Sequence, residues 1–172
     1  MHMLICKAAK TMSNNVTRLL DARKISYQEF SLPNEKLGAQ ETARLLNVPV
    51  QIVFKTIVAT RPNPGKPILA VIPGNHQLDL KALAKILKEK KINLPTEREA
   101  ETLTGLQAGG ISPLALINKG FQVLIASQAE KIPYIHISGG QRGLNIRMSP
   151  IDLVTLSRAQ FGEISQPFHT GE

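Results

Sequence analysis

Lys55 is the residue whose type and place first call for a chemical explanation. It sits inside PVQIVFKTIV, residues 49–58, an apolar run that predicts a β-strand. Side chains alternate along a strand, so Val53, Lys55, Ile57 and Ala59 share one face, while Ile52, Phe54, Thr56 and Val58 share the other. Both faces are mostly apolar, and an unpaired buried ammonium costs several kcal/mol or gives up its proton. Lys55 therefore either snorkels off a sheet edge or lines a cavity. Two glycine-rich turns carry the other chemical capacity, GGISP at 109–113 and SGGQRGL at 138–144. Successive glycines let backbone N–H groups approach a ligand without side chains in the way, and such amide clusters hold oxyanions and phosphates. A turn of this kind also serves simply to reverse the chain.

The elements that must position these groups follow from periodicity and caps. Ser13 or Asn14 caps a first helix to about Arg23, with Val16, Leu19 and Leu20 on one stripe. A strand from Ile25 to Phe30 precedes a helix over GAQETARLLNVP, closed near Asn47 and stopped by Pro49. The strand bearing Lys55 runs to about Thr60, and RPNPGKP turns the chain into ILAVI, residues 68–72, which predicts an antiparallel hairpin. Asp79 caps a basic helix. Thr96 with Glu99 forms a capping box for a short helix ending near Leu103, and a strand is expected between these two helices. Strands follow at 122–126, 134–138 and LNIRM, and Ser149 with Pro150 opens a last helix. The pattern predicts an α+β fold with a mixed, largely antiparallel sheet, not a doubly wound one.

Composition bounds the function. A chain of 172 residues is expected to form one domain, burying roughly 70% of its unfolded surface. Twenty-one Lys and Arg against thirteen Asp and Glu leave a formal charge of +8, which favours a polyanionic partner, nucleic acid ahead of a membrane surface. Lys81, Lys85 and Lys88 recur at helical spacing in KALAKILKEKK, a basic face that by pattern alone reads first as an ordinary solvated helix face and also fits phosphate contacts. With no Trp, two Tyr and five Phe, the chain lacks the rings of a single-strand stacking platform. Cys6, the single cysteine, allows no intramolecular disulfide, and the apolar run Met3 to Cys6 is too short for a signal peptide or a span, so a cytoplasmic protein is expected. Residues 1–12 read as a loose leader, with Met12 as a possible second start.

Several mechanisms lack their devices. The sequence holds no G-x-G-x-x-G after a strand, no G-x-x-x-x-G-K-[ST] and no G-x-S-x-G elbow. His2, His76, His136 and His169 show no metal-ligand spacing, so neither a metal nor another cofactor is expected. His136 alternates with Ile135 and Ile137, as a satisfied structural histidine does in a strand. Cys6 has no neighbouring base and reads poorly as a nucleophile.

Taken together, VFKTIV, LQAGGISPLA and ISGGQRGLNI, in this order and at these separations, resemble the YbaK/EbsC family of aminoacyl-tRNA deacylases, related to the editing domain of bacterial prolyl-tRNA synthetases. QLDLKALAKIL at 77–87 agrees, and the resemblance covers about residues 14–165 within an editing domain bounded at 13–172. It implies a partly barrel-like sheet flanked by helices. The implied activity is hydrolysis, in trans, of the ester joining a wrong amino acid to tRNA, chiefly cysteine on proline tRNA. Aminoacylated tRNA is the implied partner, with prolyl-tRNA synthetase as a second. An alanine or serine ester is the alternative substrate, and a non-catalytic module binding tRNA or the synthetase is the alternative role.

Carried across by position, the resemblance gives a site of Lys55, Gly109, Gly110 and Ile111 for catalysis. Phe30, Ser112, Pro113, Ser138, Gly139, Gly140, Arg142 and Asn145 are expected around the substrate, and Lys81, Lys85 and Lys88 on the tRNA. Leu32 stands where the family has an aromatic, and Asn145 where it often has an acid. An aminoacyl ester is already activated, so the main task is to stabilise the carbonyl oxyanion. One well-aimed donor contributes roughly 3–4 kcal/mol to that, and the N–H groups around Gly109 and Gly110 are suited to it. Lys55 is expected to position ribose, phosphate or carbonyl. An attacking lysine would need a pKa well below about 10 and would leave a stable amide. The resemblance implies that a cysteine cargo supplies its own thiol as nucleophile.

Overall fold

A computed structural model of the chain describes residues 14–62 and 64–168. The leader at 1–12, Met12, Cys6, His2 and His169 lie outside the described residues.

Local chemistry sets the element ends. Helix α1 (Asn15–Ala22) begins with a reciprocal box: the Thr17 N–H donates to Asn14 Oδ1 at 2.9 Å and the Asn14 N–H to Thr17 Oγ1 at 3.0 Å. Val16 and Leu20 enter the core at 1% and 0% exposure. Strand β1 (Tyr27–Ser31) leads to α2 (Ala39–Leu46), which closes on Asn47 at φ 54, the left-handed conformation that Asn tolerates.

The segment from residue 49 departs from expectation. Val50–Ile52 form a 3₁₀ turn, and strand β2 is confined to Phe54–Ala59. A continuous apolar run has no period with which to distinguish the two conformations. Strand β3 (Ile68–Pro73) pairs antiparallel with β2, setting Lys55 opposite Ile72, so the predicted hairpin is present. All six β3 residues are buried, because β5 (Gln122–Ala126) runs parallel on its other edge.

Between them lie β4 (His76–Leu78), α3 (Leu80–Ile86) capped by Asp79, and α4 (Glu97–Thr104) with the predicted Thr96–Glu99 box. The strand expected between α3 and α4 is reduced to one bridge, Thr60 with Asn93. Lys88 is not on the helical face that its spacing predicts, because α3 ends at Ile86 and Lys88 sits beyond it at φ 56.

The chain finishes with β6 (Ile135–Ser138), β7 (Leu144–Met148), α5 (Pro150–Ser157) started by Ser149, and two short strands missed by the sequence, β8 (Gln160–Gly162) and β9 (Ser165–Pro167). The sheets run β1-β7-β6 and β2-β3-β5-β8, with β4-β9 as a separate ribbon. Val53 bridges His136 and joins the two larger sheets, which do not close into a barrel. The fold is thus α+β with mixed strand directions: β3-β5 and β5-β8 are parallel and the remaining ladders antiparallel. Ile72, Leu124, Ile137, Ile146 and Met148 fill the core beneath the sheets. At roughly 1.5–3 kcal/mol for each fully buried large apolar side chain, this layer holds the strand ends of the site in register.

Candidate active site

A cavity of about 430 Å³ opens where β2 passes the ends of β6 and β7. Its walls are the stretch from Leu32 through α2 to Thr42, the β2 strand, Leu94 and Pro95 before α4, and the first glycine loop. Of the residues expected from sequence, Lys55, Gly109, Ile111, Ser138 and Asn145 line it together. Phe30, Gly110, Ser112, Pro113, Gly139, Gly140 and Arg142 are not on its surface, nor are Lys81, Lys85 and Lys88.

Lys55 is half-buried on the cavity wall. Its Nζ lies 3.4 Å from the Gly74 carbonyl oxygen and 4.6 Å from the centre of the Phe168 ring. No carboxylate pairs with it among the described residues, and burial lowers its pKa from the usual lysine value. The cation is therefore held by a carbonyl dipole and an aromatic face. His76 stands close enough to feel it: burial first, then the Lys55 charge, lowers the histidine pKa, while His76 Nδ1 meets Ser165 Oγ at 2.9 Å.

The two glycine turns are built onto each other. A Cβ added to Gly110 would lie 2.9 Å from the Arg142 nitrogen and 2.9 Å from Gln141 backbone atoms. The Arg142 Nε–H donates to the Ala108 carbonyl at 2.7 Å, so this guanidinium braces the loop. The Gly110 N–H donates to the Gln107 carbonyl at 2.8 Å, a commitment that removes it from the expected oxyanion donors. Gly109, at φ +87, and Ile111 both line the cavity, and neither N–H has an acceptor among the described residues. Ser112 and Pro113 shape the loop from behind: Ser112 is fully buried, and its Oγ accepts the Leu114 N–H at 3.2 Å.

The second turn shows the same division of labour. The Gly139 N–H donates to the Leu144 carbonyl at 2.9 Å, closing the β6–β7 connection. Gly140 is at φ +92, and a Cβ added to it would lie 3.0 Å from Val16 Cγ2 and 3.2 Å from Ala115 Cβ. Ser138 and Asn145, register partners at the strand ends, reach the cavity. Behind them His136 is 1% exposed, with Nδ1 2.9 Å from Asn145 Oδ1, and the Phe30 ring centre is 5.3 Å from its own at 56°. Burial is the largest influence lowering the His136 pKa, the Asn145 contact opposes it, and the Arg147 charge adds to it. His136 is thus hydrogen-bonded and buried, as the alternation of its strand predicts.

Sequence reasoning missed Gly74, Phe168, Lys36 and the Leu94–Pro95 wall. Gly74 carried a usable signal, a Pro-Gly turn after an apolar strand; a Cβ there would lie 2.8 Å from the Val53 carbonyl oxygen. Lys36 forms an ion pair with Glu97 across the rim. Phe168 had no local signal, since the β4-β9 ribbon brings it in from the far end of the described chain.

The family described as the aminoacyl-tRNA editing domain matches residues 34–156, a span that contains Lys55, Gly109, Ile111, Ser138 and Asn145. The chain belongs to this family. As an editing-domain protein it has a near relative in EbsC of Enterococcus faecalis, named as a candidate Cys-tRNA(Pro)/Cys-tRNA(Cys) deacylase. The two are 34% identical over 163 residues, covering 94% of this chain and 98% of EbsC. Among solved structures, the editing domain overlays a hypothetical protein with a TM-score of 0.82 at 22% identity, covering 89% of this chain and 100% of that one. A candidate trans-editing enzyme for prolyl-tRNA synthetase gives 0.74 at 21% identity, covering 91% and 99%. Both structural likenesses concern the fold. No helix among the described residues is long and apolar enough to cross a membrane.

Proposed function

We propose that this chain is an aminoacyl-tRNA deacylase that acts in trans, with Cys-tRNA(Pro) as its substrate. The observation that carries the reading is that one cavity is lined by Lys55, which has no carboxylate partner among the described residues, and by Gly109 and Ile111, whose N–H groups have no acceptor among those residues. One ammonium free of any carboxylate and two backbone N–H groups without an acceptor among the described residues suit a carbonyl oxygen that becomes an oxyanion. A volume of about 430 Å³ is in the range that holds a small aminoacyl group with part of its terminal nucleoside. The 34% identity to EbsC supports the cysteine ester over alanine or serine.

The nucleophile in this reading is the thiol of the cysteine cargo. Among the cavity residues, Glu97 is occupied by Lys36 and Glu35 is exposed, so neither is a buried, paired general base. The substrate sulfur attacks its own ester carbonyl, a C–S bond forms and the C–O bond to tRNA breaks. The thiol proton ends on the departing ribose hydroxyl. Water then opens the cyclic thioester to free cysteine. Confinement of thiol and ester in one conformer supplies the rate through effective molarity. Lys81 and Lys85, exposed on α3, are proposed phosphate contacts, with Lys88 exposed just past the end of that helix; prolyl-tRNA synthetase is the proposed source of tRNA identity.

The test is turnover of a panel of mischarged tRNAs, with and without prolyl-tRNA synthetase, including Cys-tRNA(Pro) and its S-methylated analogue. Rapid release of cysteine and none of S-methylcysteine is the expected result. Equal rates for the two would replace the thiol by a bound water, and binding without release of any amino acid would leave a non-catalytic module.

A further inference from the structure

Asn145 has two polar atoms with different surroundings. The residue is 4% exposed, sits on β7 between its register partners Phe30 and Ser138, and still contributes to the cavity wall. Its Oδ1 is 2.9 Å from His136 Nδ1. An amide oxygen only accepts, so the ring nitrogen facing it carries the proton. The Asn145 Nδ2 has no protein acceptor among the described residues. Nor is it sealed away, since the only enclosed side-chain nitrogen or oxygen lacking a partner among those residues is Asn75 Oδ1. The Asn145 NH₂ therefore opens on the cavity.

We propose that His136 is a positioning residue that locks the Asn145 carboxamide with its NH₂ toward the cavity, making this wall recognise an acceptor oxygen of the substrate and reject its ammonium. The tilted Phe30 ring packs on the imidazole, and the Val53 bridge holds the His136 backbone. The charged group opposite it in the sheet is Arg147, which disfavours an imidazolium. A neutral ring has one N–H, and here Asn145 takes it. While Nδ1 carries the proton, turning the amide over would set two donors against each other and expose Oδ1 to the cavity, an arrangement that a buried N–H does not tolerate; only the Nε2–H tautomer would accept the turned amide. Lys55, the Gly109 and Ile111 amides and Asn145 then present donors from separate walls. The identity of the acceptor rests on the deacylase reading: an ester or ribose oxygen of the aminoacylated 3′ end.

The experiment has a spectroscopic and a kinetic arm. A long-range ¹H–¹⁵N correlation spectrum of the wild-type histidine rings at neutral pH is expected to show His136 as the Nδ1–H tautomer; the Nε2–H tautomer overturns the proposal whatever the activity. In deacylation of mischarged tRNA, His136→Leu is expected to raise KM about tenfold with kcat changed much less. His136→Asn, which keeps an N–H near the Nδ1 position, is expected to stay within about threefold of wild type. Equal losses in both variants also overturn it. If His136→Leu does not fold, the tautomer decides alone. A wild-type protein that deacylates nothing defeats the functional reading, while the tautomer still tests the lock.

Discussion

Gly110 and Arg142 meet backbone to backbone, with 2.9 Å between the Arg142 nitrogen and the place a Gly110 Cβ would occupy. Arg142 closes the contact with its 2.7 Å hydrogen bond to the Ala108 carbonyl. The loop that offers the Gly109 and Ile111 amides is thereby fixed to the turn that offers Ser138. A side chain at residue 110 has no room unless one backbone moves.

Gly110→Ala is therefore expected to cost about 1–3 kcal/mol of stability by overpacking and to cut deacylation by more than that loss of folded protein explains. Thermal unfolding and kcat/KM on the same sample check both parts. An unchanged Tm with full activity would mean that the two turns do not depend on each other.

The role proposed for Lys55 keeps a charge where burial disfavours it. Burial depresses its folded pKa below the unfolded value, so between the two values the unfolded chain binds more protons. Stability linked to this group is present above the unfolded lysine pKa and is lost as pH falls through the folded one. At neutral pH Lys55→Met should consequently raise Tm, with the gain shrinking as alkaline pH removes the wild-type charge. Melting curves from neutral to alkaline pH measure this, and a fall in Tm at neutral pH would make the lysine structural.

The buried histidine gives the matching effect in acid. The His136 pKa is lowered chiefly by burial, with Asn145 opposing and Arg147 reinforcing. Its stabilising contribution is complete above the unfolded histidine pKa of about 6.5 and is lost as pH falls through the folded value. His136→Asn should flatten the decline of Tm in this acidic window relative to wild type. Parallel profiles would show that other groups control acid unfolding.

Lys81 and Lys85 are solvent-exposed on α3 and four residues apart, so both project on one side of the helix. Removing one lysine that neutralises a phosphate should reduce the slope of log affinity against log salt by about 0.7–0.9. The double substitution to Ala is expected to lower that slope by roughly twice this amount without altering kcat at saturating tRNA. Titrations at several salt concentrations measure it, and an unchanged slope would return this face to ordinary solvation.

Residues whose type alone solves a backbone or charge problem were legible in the sequence. Lys55 stood out because a strand with two apolar faces has no ordinary use for an ammonium. Gly109 stood out because doubled glycines mark backbone that approaches something closely, and Asn47, Asp79 and Ser149 because caps are local chemistry. What depended on distant partners was hidden. The Gly110 N–H looked available until the Gln107 carbonyl took it, and Arg142 looked like a substrate contact until the Ala108 carbonyl claimed it. Three-residue strands such as β4 and β9 are too short to show a period, yet they carry Phe168 to Lys55. Lys88 kept the helical spacing past the last residue of α3, where no glycine marked the stop.

The central claim is that the cavity around Lys55 releases a wrong amino acid from tRNA. Cys-tRNA(Pro) labelled in the amino acid, incubated with the wild-type chain and with Lys55→Ala at equal concentration, tests it most directly. The account predicts release of free cysteine by the wild type and a loss of at least about a hundredfold in the variant, which remains folded by circular dichroism. Release at the same rate by both proteins, or by neither, would contradict it.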